Sequence, residues 1–425
     1  MGKSRLIIRN IGAIKDVEIN LNKINVFIGE QGSGKSTIAK IISYLSWVGK
    51  EIALAYDFEG FTKENVFYDN LVNFHKMEGY FRSDSYIEYE NPVMKLSYLH
   101  SEKIPKIQII DIKKYKGVKI SYIPAERNIV ASIPNWFDVK LPDNNIRSFM
   151  SDWEVARKKK NAKEPMKIGS EIKYYYEGSG KRDIVKINED VALDMTNVAS
   201  GYQSLIPLYV VFDYVAKSIY EDDKDSVEQI NKKKEAQNKI LMHYLTKSSD
   251  ESFEKIASRI HKEFEEIKDI KEDTKDNTKF KYINAINTAA ALSKQILKVQ
   301  SSHLIIEEPE QNLYPNTQKK VIYEFLKIIK NSKKEIFLTI TTHSPYVLYA
   351  LNNCILGGNV KDKYKGENLP SQESWIDPDS VSVWQINKGK VSCIQNKESH
   401  TIGKQYFNDI MNEIMDEYQK ILKDL

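Results

Sequence analysis

A glycine-rich loop directly after an apolar segment constrains the fold of this chain more than any other feature. Residues 29–36 match the pattern GxxxxGKS/T at every fixed position, and the apolar run 24–28 precedes them. Glycines at this spacing let backbone N–H groups surround a phosphate, while Lys35 reaches its oxygens and the Ser36 hydroxyl binds Mg²⁺. The sequence therefore predicts a strand, a loop that binds a nucleoside triphosphate, and a helix whose N-terminus faces the phosphates. The residues predicted to bind the nucleotide here are Gly29, Gln31, Gly32, Ser33, Gly34, Lys35, Ser36 and Thr37.

Composition and charge narrow the class of protein only slightly. The 425 residues include 63 basic and 59 acidic side chains, and the net charge of +4 neither proposes nor excludes a nucleic-acid partner. No apolar run approaches the roughly 18 residues that a membrane span requires, and residues 1–8 lack the pattern of a signal peptide. Cys354 and Cys393 lack metal-ligand spacing, so we expect two reduced thiols. These features predict a cytoplasmic protein without a membrane partner.

Two lysine clusters are candidates for contact with DNA. Lysines that neutralise phosphates supply most of the sequence-independent affinity for DNA. A solvated charged surface is the more frequent role of such clusters, and we expect it here, with direct DNA contact as the alternative. One cluster is residues 232–234, and the other comprises Lys158, Lys159, Lys160, Lys163 and Lys167.

Short apolar and aromatic runs predict β-structure in the first half of the chain. Runs of Tyr, Phe, Ile and Val between residues 64 and 125 indicate an antiparallel β layer. A helical pattern covers 146–160, and the segments 171–176 and 183–187 form a predicted hairpin.

Beyond residue 204 the pattern becomes helical. An apolar helix is predicted at 205–220, and 221–280 is dense in Lys, Glu and Asp with apolar residues at helical spacing. We expect a projecting helical hairpin there, with an ordinary pair of surface helices as the alternative. Its apolar positions include Phe253, Ile256, Ile260, Phe264 and Ile267.

The end of the chain predicts a hairpin and an amphipathic helix. The hairpin joins 381–386 to 390–394, and the helix covers the last twenty residues. We expect the apolar face of this helix to pack on its own domain, and docking of a partner is the alternative. That face contains Phe407, Ile410, Ile414 and Tyr418.

A second group of candidate residues follows two apolar strands. Residues 304–306 are apolar and lead into Glu307 and Glu308, and 336–342 lead into His343. A hydrolytic site of this kind needs one anion near the metal and one group that activates or orients water. We therefore predict Glu307 as a Mg²⁺ ligand, Glu308 as the water-activating carboxylate, and His343 as the contact to the γ-phosphate.

A Ser-Gly pair before a long helix is the third candidate. Ser200, Gly201 and Gln203 precede the apolar run that begins at Leu205, and a helix N-terminus binds anions well. Taken alone, this SGxQ segment is a weak signal. Its place between the phosphate loop and the acidic strand gives the motif order of ABC ATPases.

The chain resembles ABC-type ATPases of the SMC/RecF branch. Within that branch it resembles the ATPase domain of overcoming-lysogenisation-defect (OLD) proteins and phage-defence ATPases of the PtuA and AriA type. In these proteins Ile-Glu-Glu-Pro-Glu is followed by a Leu-x-Pro D-loop and by Thr-His-Ser-Pro, as at 306–310, 313–315 and 342–345. The resemblance covers essentially the whole chain. It implies an α/β fold: a P-loop ATPase head with a mixed β-sheet, an antiparallel β subdomain and a helical insertion.

The resemblance also implies a division of the chain into lobes. The N-terminal ATPase lobe, 1–204, contains the P-loop, the β layer and the Ser-Gly signature. The insertion is 205–300, and the C-terminal lobe, 301–425, contains the acidic Walker B strand, the D-loop and His343.

A head-to-tail homodimer, or a higher even oligomer, is the assembly that the resemblance implies. ATP and Mg²⁺ then contact Lys35, Ser36 and Glu307 of one copy and Ser200 and Gly201 of the other. Tyr202 stands where the second glycine of the LSGGQ signature is expected, so we expect slow, partner-regulated hydrolysis. The segment 122–127 also resembles these ATPases, and Arg127 is a candidate for contact with nucleotide or with the dimer seam.

Two functions follow from this resemblance. The first is a sensor of DNA or a phage protein that regulates a separate effector, a nuclease encoded nearby. It is motivated by the lack of a Toprim nuclease pattern after His343, since we expect residues 377–379 to form a turn around Pro378. The alternative is an ATPase for DNA repair or chromosome maintenance. A transporter motor fits poorly, because the insertion and the Glu-Glu-Pro-Glu form are unlike transporter subunits.

Overall fold

The computed structural model describes most of the chain on either side of the predicted insertion. The predicted helical hairpin at 221–280, including its apolar positions from Phe253 to Ile267, lies almost entirely outside the described residues. Side chains at 277–285 are outside them as well. The described residues are 4–55, 58–133, 139–169, 172–221, 234–241, 277–403 and 405–422.

Fifteen strands and ten helices, some of them a single turn, make up the described part of the chain. The strands are β1 (Ser4–Ile11), β2 (Ile14–Leu21), β3 (Ile24–Gly29), β4 (Phe81–Glu90), β5 (Met94–Leu99), β6 (Lys106–Ile109), β7 (Val118–Ile123), β8 (Met166–Ile168), β9 (Ile172–Glu177), β10 (Arg182–Lys186), β11 (Ala192–Asp194), β12 (Ser301–Glu307), β13 (Glu335–Thr342), β14 (Val381–Asn387) and β15 (Lys390–Cys393). The helices are α1 (Lys35–Ala55), α2 (Val66–His75), α3 (Ile129–Ser132), α4 (Asn145–Arg157), α5 (Ser200–Ala216), α6 (234–241), α7 (Asn277–Leu297), α8 (Pro315–Asn331), α9 (Pro345–Val360) and α10 (Tyr406–Leu422).

Most strands join one mixed sheet, in the order β6-β5-β4-β1-β2-β15-β14-β3-β13-β12-β7. Strands β14, β3, β13, β12 and β7 run parallel to one another. Strands β6, β5, β4, β1 and β2 form an antiparallel half. A separate antiparallel sheet has the order β11-β10-β9-β8. The predicted α/β class, with a mixed sheet and an antiparallel subdomain, is confirmed.

Burial on both faces explains why the parallel strands read as continuous apolar runs. Every residue of β3 and of β12 is buried. Because side chains alternate along a strand, Val26 faces α8 and α9 on one side of the sheet, whereas Phe27 faces α1 on the other. Helices on both sides are the arrangement that parallel sheets require. The carboxyl ends of these strands therefore meet at one edge, between the helices.

The predicted antiparallel layer at 64–125 needs a correction. Strands β4, β5 and β6 are antiparallel as expected, but they continue the same sheet through β1. Strand β7, in contrast, pairs in parallel with β12. The local pattern cannot separate these cases, because a buried parallel strand and an antiparallel one both read as short apolar runs.

The predicted hairpin around Gly178 is confirmed as β9 and β10. A buried ion pair connects it to α4, since the Arg157 guanidinium lies 2.7 Å from Asp183 Oδ2. The Tyr174 hydroxyl donates to the other oxygen of the same carboxylate at 2.6 Å. This antiparallel sheet leads directly into α5, so it supports the start of the Ser-Gly helix.

Two lysines of the cluster that begins at Lys158 form ion pairs within the chain. Lys158 lies 2.8 Å from Glu154, and Lys160 lies 2.5 Å from Asp213. These pairs reduce the positive charge that the cluster offers to a phosphate backbone. Of the second cluster, residues 232 and 233 lie outside the described residues.

The C-terminal helix α10 departs from the expectation that it packs on its own domain. Phe407 contacts the main core, but every residue from Asp409 to Leu422 is exposed. The helix leaves the core after its first turn, so its apolar face has no intrachain partner among the described residues. We call the α10 stripe the six side chains Ile410, Met411, Ile414, Met415, Tyr418 and Ile421, which are 44% to 61% exposed.

Within the part of the chain that the structure describes, no helix is long and apolar enough to cross a bilayer. Cys354 is a buried free thiol and Cys393 an exposed one.

A buried histidine makes stability depend on pH. His75 ends α2, and burial, with Lys40 adding to it, lowers its pKa to about 3. Neither ring nitrogen has a hydrogen-bond partner among the described residues. The unfolded chain takes up this proton near its ordinary pKa of about 6.5, whereas the folded chain does so only near pH 3. His75 therefore does not lower the free energy of unfolding at pH 8, but it lowers this free energy progressively as the pH drops below 6.5.

Between pH 8 and pH 5 we expect the free energy of unfolding of the parent chain to fall by about 2 kcal/mol more than that of His75→Phe, because only the parent takes up this proton on unfolding. Urea unfolding of both proteins at the two pH values measures this difference, whatever the effect of the ring on stability at pH 8. The equally buried His303 is present in both proteins, so the difference isolates His75. If the change in unfolding free energy between the two pH values is the same in both proteins, the pKa of His75 is not lowered in the folded chain.

Candidate functional site

The phosphate loop connects the carboxyl end of β3 to α1, in the middle of the parallel strands. Gly29 has a φ of +155° and Gly34 a φ of +106°, which L side chains rarely adopt. A Cβ at Gly29 would also lie 2.6 Å from the carbonyl oxygen of Ile386. Ile38 N donates to Gly34 O at 3.1 Å, so the helix begins directly after the loop. These features are those required of a loop whose backbone amides surround phosphate.

Lys35 is the first residue of α1, and its ammonium group is buried. It donates to the carbonyl oxygens of Gly29 and Glu30, both at 2.8 Å, and lies 3.3 Å from Nδ1 of His343. Burial lowers the pKa of Lys35 to about 8, although Glu308 acts in the opposite direction. A cation that is only partly compensated by carbonyls is suited to bind phosphate oxygens.

Glu308 lies where β12 ends, with its backbone in the left-handed region at a φ of +44°. Its N–H donates to the carbonyl oxygen of Thr341 at 2.8 Å, which fixes the turn against β13. Left-handed backbone is costly for a residue other than glycine, and such strain concentrates at functional positions. The turn brings the carboxylate to the same sheet edge as the phosphate loop.

His343 connects Glu308 to Lys35. Its Nε2 lies 3.1 Å from Glu308 Oε1, and its Nδ1 lies 3.3 Å from Lys35 Nζ. Because an ammonium group only donates, Nδ1 accepts and Nε2 carries the proton that is donated to Glu308. The hydrogen bond from His343 is the main cause that lowers the pKa of Glu308, and Lys35 adds to it. The carboxylate is therefore held ionised, as an acceptor for water requires.

Glu310 fixes the backbone of His343 and was not among the predicted site residues. Its Oε1 accepts the His343 N–H at 2.6 Å. Desolvation raises the pKa of this carboxyl group. The Glu-Glu-Pro-Glu run contained the residue, but its sequence position does not show that it contacts a strand some thirty residues away.

Two buried side-chain oxygen atoms at the predicted Mg²⁺ site are suited to bind a metal ion. Glu307 is buried, and its Oε1 makes no hydrogen bond of normal geometry among the described residues, although the Tyr122 hydroxyl is near enough for Glu307 to add to the burial that raises the pKa of Tyr122. The register partner of Glu307 on β13 is Thr341, whose buried hydroxyl likewise lacks a partner there. Oxygen atoms without donors are the ligands that Mg²⁺ binds, directly or through water. With Ser36 of the phosphate loop, Glu307 is the residue that would hold the ion. The described residues contain no group of three or more His, Cys, Asp or Glu side chains that could hold a metal ion.

Arg127 has a role that differs from the expected contact with nucleotide or a dimer seam. Its guanidinium group is 0% exposed. It donates to the carbonyl oxygens of Glu307 at 2.9 Å, Glu308 at 2.7 Å and Ser204 at 3.1 Å. Arg127 thus ties the end of β12 to α5. No short-range pattern reveals this, because its acceptors are backbone atoms distant in sequence.

Helix α5 begins at Ser200, which is exposed, and Ala199 provides no side-chain cap. Gln203 does not point its amide outward for a ligand, because Nε2 donates to the carbonyls of Thr196 and Val198, both at 3.0 Å. Gly201 packs against the turn that follows Glu308, where a Cβ would lie 2.9 Å from the carbonyl oxygen of Asn312.

The structure therefore divides the predicted site into two groups. Lys35, Glu308 and His343 form one contact chain, and Glu307 lies at the adjacent strand end. Among the hydrogen bonds of the described residues, none joins this group to Ser200. Ser200 is exposed, while the rest of this first turn is held to the end of β12 through Arg127 and Asn312.

Comparison with known families and structures gives a partial match. Residues 289–348 match the family model of an AAA ATPase domain. This segment contains Glu307, Glu308 and His343, and it does not contain the phosphate loop. A comparison with curated proteins gives no match.

Three solved structures align with almost the whole chain at low similarity. The SMC head domain from Thermotoga maritima is 9% identical over 93% of this chain and 100% of that chain, with a TM-score of 0.35. The SMC head bound to the C-winged helix domain of ScpA is 10% identical over 93% and 98%, with a TM-score of 0.36. The recombination mediator protein RecF-ATPrS of the RecFOR pathway is 10% identical over 92% and 98%, with a TM-score of 0.28. Sequence identities and TM-scores this low assign neither fold nor function. The family comparison therefore shows only that residues 289–348, which contain Glu308 and His343, are similar to an AAA ATPase domain.

Proposed function

We propose that this chain is a Mg²⁺-dependent ATPase of the SMC/RecF type whose two copies enclose ATP head to tail and so regulate a separate effector. The observation that carries the proposal is that Ser200 is exposed and, among the described residues, shares no hydrogen bond with the group of Lys35, His343 and Glu308. Lys35, His343 and Glu308 contact one another, whereas Ser200 lies at an exposed helix N-terminus. A second copy that presents Ser200 and Gly201 completes the site.

The residues of the contact chain have distinct roles in hydrolysis under this proposal. Lys35 exchanges the carbonyls of Gly29 and Glu30 for the β- and γ-phosphate oxygens. Glu308 accepts a hydrogen bond from the attacking water and orients it, and His343 exchanges Glu308 for the γ-phosphate as the acceptor of its Nε2 proton. Ser36 and Glu307 would hold Mg²⁺, which would supply positive charge against the phosphates.

The signature helix supports a slow, partner-regulated reaction. The N-terminus of α5, with the N–H groups of Ser200 and Gly201, attracts the γ-phosphate of ATP held by the other copy. Tyr202 replaces a glycine next to these groups and is half-buried, so a bulky ring stands where close approach is needed. Hydrolysis by the isolated chain is therefore slow.

The effector belongs to another chain in this proposal. Asp377 accepts a hydrogen bond from Asp379 N and caps the turn around Pro378, so this Asp-x-Asp segment forms the turn expected from its sequence. The proposed setting is anti-phage defence, with a nuclease encoded nearby as effector and DNA or a phage protein as trigger. The division into lobes 1–204 and 301–425 around the insertion 205–300, and a cytoplasmic location, are part of the same proposal.

Ser200→Asp is expected to abolish ATP-dependent dimerisation while each separate copy still binds ATP. A carboxylate in the first turn of α5 suits the helix dipole, so the fold is retained. In the composite site the same charge repels the γ-phosphate. Sedimentation velocity with and without ATP measures the dimer, and titration calorimetry measures the affinity of the single copy.

Ser151→Asp is the matched control, because Ser151 is an exposed serine on α4. We expect it to dimerise like the parent chain. Dimerisation of Ser200→Asp at the parent's ATP concentration contradicts the head-to-tail arrangement.

Co-purification with the product of the neighbouring gene tests regulation of an effector. We expect a stable complex whose nuclease activity depends on ATP, and no cutting of DNA by this chain alone. Stimulation of ATP hydrolysis by gapped DNA, with replication genes as neighbours, would instead favour the repair function.

A further inference from the structure

The α10 stripe is an apolar surface on a helix that projects from the body of the protein. At about 3.6 residues per turn, its six side chains follow one face over about three helical turns. Ile414 is 57% and Ile421 61% exposed. Apolar residues that form one continuous exposed face on a helix mark an interaction site rather than ordinary surface.

The two edges of the stripe differ in charge. Glu413 and Glu417 follow one edge, four residues apart, so they lie one above the other. Asn412 and Gln419 lie toward the opposite edge and are neutral. All four are exposed. Lys420 and Asp416 lie behind these two glutamates on the same side, so a partner that covers the stripe meets a side that is acidic overall and an opposite side that is neutral.

A second copy of α10 is a poor occupant for this surface. An antiparallel pair of identical helices places the acidic edge of one beside the acidic edge of the other, and like charges there oppose pairing. A parallel pair places the acidic edge beside amides and gains no charge complementarity. Anionic membrane is also disfavoured, because membrane-surface helices carry Lys and Arg on the polar face, whereas the described helix has Lys420 alone.

The start of α10 lies beside the nucleotide site. Tyr406 N donates to the side chain of Gln385 on β14, at 3.2 Å. Gln385 is the register partner of Ile28, the residue before Gly29 of the phosphate loop. Carboxylates of Glu30 and Glu310 are close enough to add to the effect of burial, which raises the pKa of Tyr406 to about 12. A protein held on α10 is thus connected to the loop that binds phosphate.

We propose that the α10 stripe docks a partner protein that presents an amphipathic helix bordered by Lys or Arg. The identity of this partner as the effector rests on the proposed function. The apolar seam supplies the affinity, and the basic edge facing Glu413 and Glu417 fixes orientation and specificity.

Two synthetic helical peptides test the chemistry of the partner. Both carry the same Leu and Ile seam, and they carry either lysines or glutamates along the edge that faces Glu413 and Glu417. We expect the full chain to bind the lysine peptide about tenfold more tightly at low salt, with a smaller difference at high salt. The double variant Glu413→Lys/Glu417→Lys reverses the preference. Fluorescence anisotropy measures all four affinities.

Ile414→Asp removes the seam without entering the core, and we expect it to abolish peptide binding. Leu356→Asp is the control, since Leu356 is 50% exposed on α9, and it binds as the parent does. Equal affinity for both peptides, or binding of neither, overturns the inference. So does a dimer in solution that Ile414→Asp dissociates, or stripe-dependent binding to phosphatidylserine vesicles.

Titration with ATP separates this inference from the proposed function. If the chain discriminates between the peptides but binds no ATP, the docking surface is supported and the ATPase proposal is contradicted. If it binds and hydrolyses ATP but does not discriminate, only the docking surface fails.

Discussion

Glu308→Gln is expected to leave ATP binding intact and to slow hydrolysis at least about 100-fold, the usual contribution of a group that activates or orients water. Glutamine has the same shape and still accepts the proton on Nε2 of His343, so the contact to Lys35 persists. It cannot take up a proton or hold water as a carboxylate does. Hydrolysis therefore stops after ATP is bound, and an ATP-bound dimer accumulates. Single-turnover kinetics and sedimentation velocity measure the two effects.

Glu310→Gln is the matched control for this variant. Glu310 holds the backbone N–H of His343, and desolvation raises the pKa of its carboxyl group. An amide oxygen replaces this acceptor, so we expect a much smaller loss of rate. Parent-like hydrolysis in Glu308→Gln would show that another group activates water.

Lys35→Ala is expected to weaken ATP binding at least about 100-fold, because charge-assisted hydrogen bonds contribute about 1.5–3 kcal/mol each. The ammonium group is buried with a lowered pKa, and its contacts in the structure are two carbonyls and His343. Its removal also relieves the desolvation of a buried charge, so the chain without nucleotide keeps its fold. Titration calorimetry measures the affinity directly.

Thermal unfolding provides the control for Lys35→Ala. We expect an unfolding temperature close to the parent's without ATP and no rise when ATP is added. A parent-like rise with ATP would mean that Lys35 does not contact the phosphates.

Local chemistry explains which parts of the site could be predicted from sequence. The phosphate loop is contiguous, and its glycines meet a conformational requirement that the structure shows at Gly29 and Gly34. Glu307 and Glu308 directly follow a buried strand, so their place at the sheet edge follows from the chain direction. His343 reaches the same edge because β13 runs parallel to β12.

Contacts between distant segments explain what could not be predicted. Arg127 binds carbonyl oxygens about 80 and 180 residues away, and no spacing rule encodes such acceptors. The Gln203 amide donates to two nearby carbonyl oxygens rather than to a ligand. The exposure of Ile414 depends on where α10 leaves the core, whereas an amphipathic pattern reports only that one face is apolar.

The proposed ATP site is shared by two copies, and mixing two inactive variants tests this sharing most directly. Lys35→Ala and Ser200→Asp each lack one half of the site, but a mixed dimer has one complete site, formed by Lys35 of one copy and Ser200 of the other. Because neither variant dimerises with itself, only mixed dimers form in an equimolar mixture, each with one complete site of two, and we expect activity well above that of either variant alone and at most roughly half of the parent's. A mixture no more active than the two variants measured separately would contradict the shared site.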